Sequence, residues 1–139
     1  MKKNSILLAV KDKLVREAWS DILNSDNRFS VVATTGDSEE VPLLCNEHSP
    51  AVIVTDIEES QVALLSSLKD QAKEAEVKAV FILTTALPSF AMRMMQNAAI
   101  GLLTKNNSLE EMIYAISEVA EKRKYIGTEI KRVSYFAPL

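Results

Sequence analysis

The stretch Pro50-Ala-Val-Ile-Val-Thr-Asp56-Ile-Glu58-Glu59 decides the fold of this chain. Five uncharged residues, mostly β-branched, run directly into the carboxylate of Asp56. Such a run is typical of a strand buried on both faces, as in a parallel sheet covered by helices. Because open α/β sheets bind ligands at the carboxyl ends of their strands, Asp56 is predicted to lie at a ligand-binding rim. The alternative is that Asp56 only caps the strand or begins a turn.

Length and composition predict one soluble domain with its own core. The chain has 139 residues, of which 25% are charged and 47% hydrophobic, and its formal net charge is −3. These values are ordinary for a globular domain and give no general reason to expect nucleic-acid or membrane binding. Cys45 is the only cysteine, so no internal disulfide can form and a cytoplasmic location is expected. The apolar run 6–10 is too short for a secretory signal, and no stretch is long enough to span a membrane.

Short apolar runs alternate with amphipathic segments along the whole chain. The predicted strands are 6–10, 29–34, 51–56, 78–84 and 100–104. The predicted helices are 13–24, 38–47, 61–75, 90–97 and a fifth that begins with a capping box at 108–111. Strands and helices that alternate with short connections predict an α/β fold, a doubly wound parallel sheet of five strands with five helices.

Three successive strand ends carry side chains that suit phosphoryl chemistry. The carboxyl ends of predicted strands three, four and five carry Asp56, Thr84 and Lys105. The carboxylate can attack phosphorus, the ammonium can offset oxyanion charge, and the hydroxyl can donate a hydrogen bond. Taken singly, Thr84 is better explained as a β-branched strand residue and Lys105 as a solvated loop lysine. Their joint arrival at one rim favours a phosphoryl site.

These segments together resemble the receiver domains of two-component response regulators, most closely those of NarL-like regulators that precede a LuxR-type helix-turn-helix. The likeness covers about residues 6–130. The segments that carry it are Ile-Leu-Leu-Ala (6–9), Leu-Val-Arg-Glu (14–17), Pro-Ala-Val-Ile-Val-Thr-Asp-Ile (50–57), Ile-Leu-Thr-Thr (82–85), Gly-Leu-Leu-Thr-Lys (101–105) and Arg-Lys-Tyr-Ile-Gly-Thr-Glu-Ile (123–130).

The resemblance implies a CheY-like receiver domain with strand order 2-1-3-4-5 over residues 1–124. Residues 125–139 would then form a C-terminal linker stub or a short helix. Within the receiver domain, the resemblance implies that Asp56 is the phosphoacceptor, Thr84 the switch hydroxyl and Lys105 the phosphoryl-binding lysine.

The resemblance also implies a role in phosphorelay signal transduction. A sensor histidine kinase would supply the phosphoryl group, and a DNA-binding output domain outside this chain would control transcription. The domain itself is expected to be no enzyme beyond self-phosphorylation of Asp56, and to bind neither membrane nor nucleic acid directly. A homodimer or output-domain contact is expected on the face formed by helix four, strand five and helix five. Met92, Met94 and Met95 give helix four adaptable apolar side chains, although most of them are better explained as core.

Several positions depart from the family pattern. The paired acids that hold Mg²⁺ after strand one correspond to Val10 and Lys11. The Met-Pro-Gly-like turn that the family has after the phosphoacceptor is replaced by Glu58-Glu59-Ser60. Leu102 replaces the family's switch aromatic on strand five. The resemblance therefore implies Mg²⁺ as the cofactor, whereas these substitutions count against its binding.

A weak metal site is still open to this chain. Mg²⁺ often binds through one or two protein carboxylates together with phosphate oxygens. Asp56 with Glu58, or with Asp12 one residue beyond the expected acids, would supply that minimum. We expect any such site to be weak.

Lys11 places a positive charge where the family has a negative one. An ammonium ~4 Å from Asp56 would stabilise the carboxylate by about 4 kcal/mol at an effective dielectric near 20, before desolvation is subtracted. Lys11 is therefore predicted to hold Asp56 as a carboxylate and to compete with a metal. The alternative is that the Lys11 side chain points to solvent.

Three functions stay open. The first is a receiver that is phosphorylated on Asp56 in an atypical pocket, which the retained Asp-Thr-Lys set favours. The second is a phosphorylation-independent pseudo-receiver that acts in dimerisation or protein interaction, which the substituted acids and aromatic favour. The third is a flavodoxin-like binder of a small anionic ligand, and it lacks support because three glycines in the whole chain form no Gly-rich phosphate loop.

Overall fold

The computed structural model of the chain describes residues 3–57, 78–83 and 100–130. The third and fourth predicted helices, at 61–75 and 90–97, lie outside the described residues. The same holds for Glu58, Thr84 and the three methionines at 92, 94 and 95.

Within the described residues the chain forms one parallel sheet of six strands. The strands are β1 (Asn4–Ala9), β2 (Phe29–Thr35), β3 (Val52–Ile57), β4 (Ala79–Leu83), β5 (Ile100–Thr104) and β6 (Tyr125–Ile126). Their order is β2-β1-β3-β4-β5-β6, and every neighbouring pair is parallel. The predicted α/β class, the parallel sheet and the order of the first five strands are confirmed. The predicted count of five strands is wrong, because Tyr125 and Ile126 add a short sixth strand beside Gly101 and Leu102.

Two of the described α-helices begin at side-chain caps that their sequences supply. Helix α1 (Lys13–Asn24) begins after Asp12, whose side chain accepts a hydrogen bond from the Val15 amide at 3.1 Å. Helix α2 (Val41–His48) follows a 3-10 turn over Ser38–Glu40. Helix α3 (Leu109–Ala120), the fifth helix of the sequence prediction, begins after Ser108, whose hydroxyl accepts from the Glu111 amide at 3.1 Å.

Both faces of the sheet are covered, as a buried parallel sheet requires. Residues Val52 to Thr55 of β3 are at most 6% exposed, which confirms the prediction of a strand buried on both faces. Alternate strand residues point to opposite faces. One set packs with Leu23 of α1 and Met112 of α3, and the other packs with Val41 of α2.

The segment after α3 packs against the edge of the sheet. The Gly127 amide donates to the Leu102 carbonyl at 2.7 Å, and a helical turn begins at Thr128. Ile130 is 2% exposed and belongs to the core on the α2 face. Residues 131–139 lie outside the described part, so the boundary after 124 and the assignment of 125–139 stay predictions.

None of the described helices has the length and apolar character needed to cross a lipid bilayer.

Candidate functional site

Asp56 lies at the carboxyl edge of the sheet, between the ends of β1 and β4. It is the fifth residue of β3, it is half-buried, and it pairs with Ile82 of β4. The preceding residue, Thr55, pairs with Ala9 of β1. Thr55 is fully buried, and its hydroxyl donates to the Asp56 carbonyl at 3.1 Å. Strand β3 therefore places the Asp56 carboxylate at the rim, directly after a fully buried residue.

The loop after β1 contacts Asp56 through its main chain. The Lys11 amide donates a hydrogen bond to Asp56 Oδ2 at 3.2 Å, while the Lys11 side chain is exposed. Among the described residues, no ion pair joins the Lys11 ammonium to this carboxylate. The contact thus differs from the predicted one, because a main-chain N–H rather than the ammonium faces Asp56. A hydrogen bond to a charged group contributes about 1.5–3 kcal/mol net of the competing hydrogen bonds to water, less than the ion pair considered above.

Hydrogen bonds from Arg16 and to Thr35 hold the β1–α1 loop at Val10 and Lys11, where this contact is made. The Val10 carbonyl accepts from Arg16 Nη1 at 2.6 Å, and the same nitrogen lies 3.3 Å from the Lys11 carbonyl. The Val10 amide donates to the Thr35 carbonyl at 3.0 Å, and the Val10 side chain is only 2% exposed. An apolar, buried side chain therefore occupies the first of the two positions that the sequence resemblance aligns with metal-binding acids.

The described residues do not provide the ligand set that Mg²⁺ prefers. Mg²⁺ needs several oxygen ligands in near-octahedral geometry. Asp12 Oδ1 already caps α1, and Asp56 Oδ2 already accepts from Lys11. In the described ranges no cluster of three or more His, Cys, Asp or Glu side chains could hold a metal ion. Glu58, the other predicted ligand, lies outside those ranges, so its part in a metal site stays a prediction.

Lys105 lies on the same edge of the sheet as Asp56. Ile82 pairs with both Asp56 and Leu103, so Leu103 is two strands, or about 10 Å, from Asp56. Lys105 follows Leu103 by two residues and is exposed. It borders a shallow depression between α1 and α3 that Trp19 also lines. The structure thus brings Asp56, the Lys11 amide and Lys105 to one rim, and the strand before Thr84 ends at that rim.

Hydrogen bonds fix the loop that carries Lys105. The Thr104 amide donates to Asn107 Oδ1 at 2.7 Å, and the Asn106 amide donates to the Thr104 hydroxyl at 3.2 Å. The Asn107 side-chain amide in turn donates to the Glu111 carboxylate of α3. The position of Lys105 is therefore tied to the first turn of α3.

Arg16 is a residue of the site that the sequence prediction did not include. It lies near the amino end of α1, where the helix dipole favours acidic rather than basic side chains. A basic residue in that unfavourable position was the signal that could have identified it. In the structure its guanidinium points away from the helix axis to the carbonyls of the β1–α1 loop.

Proteins of similar sequence include response regulators and a transcriptional regulatory protein. No protein-family model matches the chain. It is 27% identical over 126 residues to the response regulator GacA of Pseudomonas aeruginosa, covering 90% of this chain and 59% of that protein. It is 28% identical over 123 residues to the uncharacterized transcriptional regulatory protein YxjL of Bacillus subtilis, covering 86% and 56%. The chain therefore spans less than two thirds of the length of these relatives.

Solved structures show the same fold. A LuxR-family two-component response regulator from Aurantimonas superposes with a TM-score of 0.84 at 19% identity, over 96% of both chains. The signal receiver domain of the response regulator NarL from Mycobacterium tuberculosis superposes with a TM-score of 0.77 at 20% identity, over 88% of this chain and 100% of that one.

The sheet order, the edge position of Asp56 and these superpositions define a receiver-domain fold. Its relatives and structural neighbours include LuxR-family response regulators of two-component systems, and the chain has their receiver-domain fold. Receiver domains of response regulators are generally non-enzymatic signalling modules. They typically bind Mg²⁺ at their phosphorylation site. Two-component response regulators are phosphorylated by sensor kinases and can dimerise.

Proposed function

We propose that this receiver accepts a phosphoryl group on Asp56 in an atypical pocket, from a sensor histidine kinase. A DNA-binding output domain of the same protein, outside this chain, would then control transcription. The observation that carries the proposal is the hydrogen bond from the Lys11 amide to Asp56 Oδ2 at the carboxyl edge of β3. The transcriptional role is supported by YxjL and by a LuxR-family DNA-binding response regulator from Staphylococcus aureus with a TM-score of 0.72 at 21% identity. A cytoplasmic location is part of this proposal.

The two oxygens of Asp56 differ in their contacts with the described residues. Oδ2 accepts the Lys11 amide, whereas Oδ1 accepts no hydrogen bond from a described residue. In the proposed reaction one oxygen of Asp56 attacks phosphorus, and the bond between phosphorus and the donor's leaving group breaks as the new O–P bond forms. Lys105 offsets the charge on the phosphoryl oxygens, and Thr84 donates a hydrogen bond to one of them.

We propose that Mg²⁺ binds this pocket weakly. The Val10 side chain has no oxygen, the Val10 carbonyl accepts from Arg16, and the carboxylate of Asp12 caps α1. A tighter site would require Asp12 to leave its cap, which costs about 1 kcal/mol, or Glu58 to supply a ligand. No residue described at the rim replaces the second acid of the family pair.

The second candidate is a phosphorylation-independent pseudo-receiver. Two exposed apolar side chains of α3 favour a contact surface, namely Leu109 at 39% and Tyr114 at 54% exposure. Helix α3 is one element of the face predicted for a homodimer or output-domain contact, together with β5 and the predicted helix 90–97. In addition, Leu102, at the position of the switch aromatic, is fully buried and offers no ring that could move outward.

Labelling with a small phosphodonor distinguishes the two candidates. The unmodified protein, Lys11→Ala and the double variant Val10→Asp/Lys11→Asp are treated with acetyl phosphate and Mg²⁺, and Asp56→Asn serves as the blank. Mass spectrometry then measures the extent of labelling. We expect slow labelling of the unmodified protein and faster, metal-dependent labelling of the double variant. Lys11→Ala should change the rate less, because it removes the positive charge without supplying a carboxylate ligand for Mg²⁺.

Two outcomes would contradict the proposed function. Equal labelling of the unmodified protein and the double variant would show that the missing acids do not limit the reaction, so the pocket would work as a conventional one. No labelling of any variant would favour the pseudo-receiver and point to further damage in the Glu58–Ser60 turn.

A further inference from the structure

We propose that Arg16 is a positioning residue for Asp56, acting through the single peptide unit that joins Val10 and Lys11. This inference deepens the proposed function and rests on it, because it explains how the pocket holds the acceptor carboxylate. Arg16 touches neither the reacting atoms nor a phosphodonor in the proposed reaction.

One peptide group connects the two charged side chains. Its carbonyl oxygen, on Val10, accepts from Arg16 Nη1 at 2.6 Å. Its N–H, on Lys11, donates to Asp56 Oδ2 at 3.2 Å. A cation thus contacts the negative end of the peptide dipole, and an anion contacts the positive end. Because linked hydrogen bonds polarise one another, Arg16 makes the Lys11 amide a stronger donor to Asp56.

Among the residues that the structure describes, main-chain carbonyls rather than a carboxylate contact the Arg16 guanidinium. Nη1 also lies 3.3 Å from the Lys11 carbonyl, so the arginine contacts both carbonyls of the turn. No ion pair to Arg16 occurs among residues 3–57, 78–83 and 100–130. Within that part of the chain the hydrogen bonds of the guanidinium go to the β1–α1 loop, the loop that contacts Asp56.

Gly36 provides the space that the guanidinium needs. A Cβ atom at this position would lie 2.6 Å from Arg16 Nη1 and 3.3 Å from Cζ. Real Cβ contacts are essentially never that close, so any side chain here would displace the guanidinium. Substitution of Gly36 therefore moves Arg16 without removing its charge, and it offers an independent way to break the same contact.

Amide hydrogen exchange at Lys11 tests the proposal without any phosphodonor. Exchange is followed by NMR in the full chain for Arg16→Met, Arg16→Lys and Gly36→Ala. Loss of a hydrogen bond contributing about 1.4 kcal/mol corresponds to roughly tenfold faster exchange. We expect about that acceleration at Lys11 in Arg16→Met and Gly36→Ala, and a smaller one in Arg16→Lys, which keeps one charged donor. The amides of Leu7 and Leu8 in β1 should keep their protection.

A double-mutant cycle with Asp56→Asn measures the coupling between Arg16 and Asp56 in the exchange rate of the Lys11 amide. A merely structural role of Arg16 would give no such coupling. Asp56→Asn should speed Lys11 exchange in the unmodified protein and have a clearly smaller effect when Arg16→Met is already present. Arg123→Met is the matched control, since that exposed arginine pairs with Glu118 at 2.7 Å on another part of the surface.

Three results would overturn the positioning role. Unchanged exchange at Lys11 in both Arg16→Met and Gly36→Ala would exclude it. Equal acceleration in Arg123→Met would show that removal of any arginine has the effect, and strictly additive effects of Asp56→Asn and Arg16→Met would show that the two contacts are independent. Failure of Asp56 labelling, by contrast, would contradict the proposed function and leave this exchange result standing.

Discussion

Glu111 joins the loop that carries Lys105 to the C-terminal segment, and its substitution should destabilise the fold. Its Oε2 accepts from the Tyr125 hydroxyl at 2.6 Å and from the Thr128 amide at 3.0 Å. Its Oε1 accepts from the Thr128 hydroxyl at 3.1 Å and from the Asn107 side-chain amide. Glu111→Gln keeps the size of the side chain but removes the charge and turns one acceptor oxygen into a donor amide.

The magnitude follows from these four donors. A hydrogen bond to a charged group contributes about 1.5–3 kcal/mol, but water reaches this half-buried carboxylate and replaces part of what is lost. We therefore expect Glu111→Gln to lower the free energy of unfolding by about 1–2 kcal/mol at neutral pH. Glu110→Gln, on the exposed neighbouring residue of α3, is the matched control and should stay within about 0.5 kcal/mol.

The effect should also depend on pH in a defined direction. Burial raises the pKa of Glu111, but hydrogen bonds from Tyr125, Thr128 and Asn107 outweigh it and hold the pKa below its ordinary value of 4.5. The ionised form is thus favoured in the folded state. Its contribution to stability is present above the unfolded pKa and is lost as the pH falls through the lower, folded pKa.

Urea unfolding followed by Trp19 fluorescence measures both effects. The difference between the unmodified protein and Glu111→Gln should be full near neutral pH and shrink as the solution is acidified below pH 4.5. The argument is refuted if Glu111→Gln and Glu110→Gln unfold at the same urea concentration at neutral pH. It is also refuted if the difference caused by Glu111→Gln grows on acidification.

Three further predictions rest on the burial of Phe81 and Cys45 and on the helix cap at Asp12. Phe81→Ala should lower the free energy of unfolding by about 3–5 kcal/mol, as measured with urea, because Phe81 is fully buried. Leu14→Ala, at a residue that is 77% exposed, should lower it only a little. Asp12→Ala should cost about 1 kcal/mol through loss of the α1 cap, and an unchanged urea midpoint would contradict that role. Burial raises the pKa of the Cys45 thiol to about 11, so a thiol reagent at neutral pH should react with it much faster after unfolding; equal rates would contradict its burial.

The central strands were predictable because their burial leaves a strong sequence pattern. Val52 to Thr55 form an uninterrupted uncharged run, and such a run has few structural explanations besides a strand in a covered parallel sheet. Strand β6 was not predictable, since Tyr125 and Ile126 are too few to show any periodicity. Their place in the sheet depends on tertiary contacts, including the hydrogen bond from the Tyr125 hydroxyl to Glu111.

The sequence predicted where Asp56 and Lys105 lie, but neither the main-chain contact to Asp56 nor the part of Arg16. Asp56 and Lys105 follow from their position at strand ends, and the structure places both at the carboxyl edge. The contact made by Lys11 could not be derived in the same way, because a backbone N–H is the same for every residue type except proline. Side-chain charge suggested an ion pair to Asp56, whereas the path of the loop, held by Arg16, presents the amide instead.

The affinity for Mg²⁺ tests most directly whether the pocket lacks a metal-binding acid pair and contacts Asp56 through the Lys11 amide instead. The shift of the backbone amide at position 11 is followed by NMR during a Mg²⁺ titration of the unmodified protein and of Val10→Asp/Lys11→Asp. We predict no saturation below millimolar Mg²⁺ for the unmodified protein and sub-millimolar saturation for the double variant. Sub-millimolar saturation of the unmodified protein would contradict the proposed pocket, because it would show that Asp12 or Glu58 completes a metal site with Asp56.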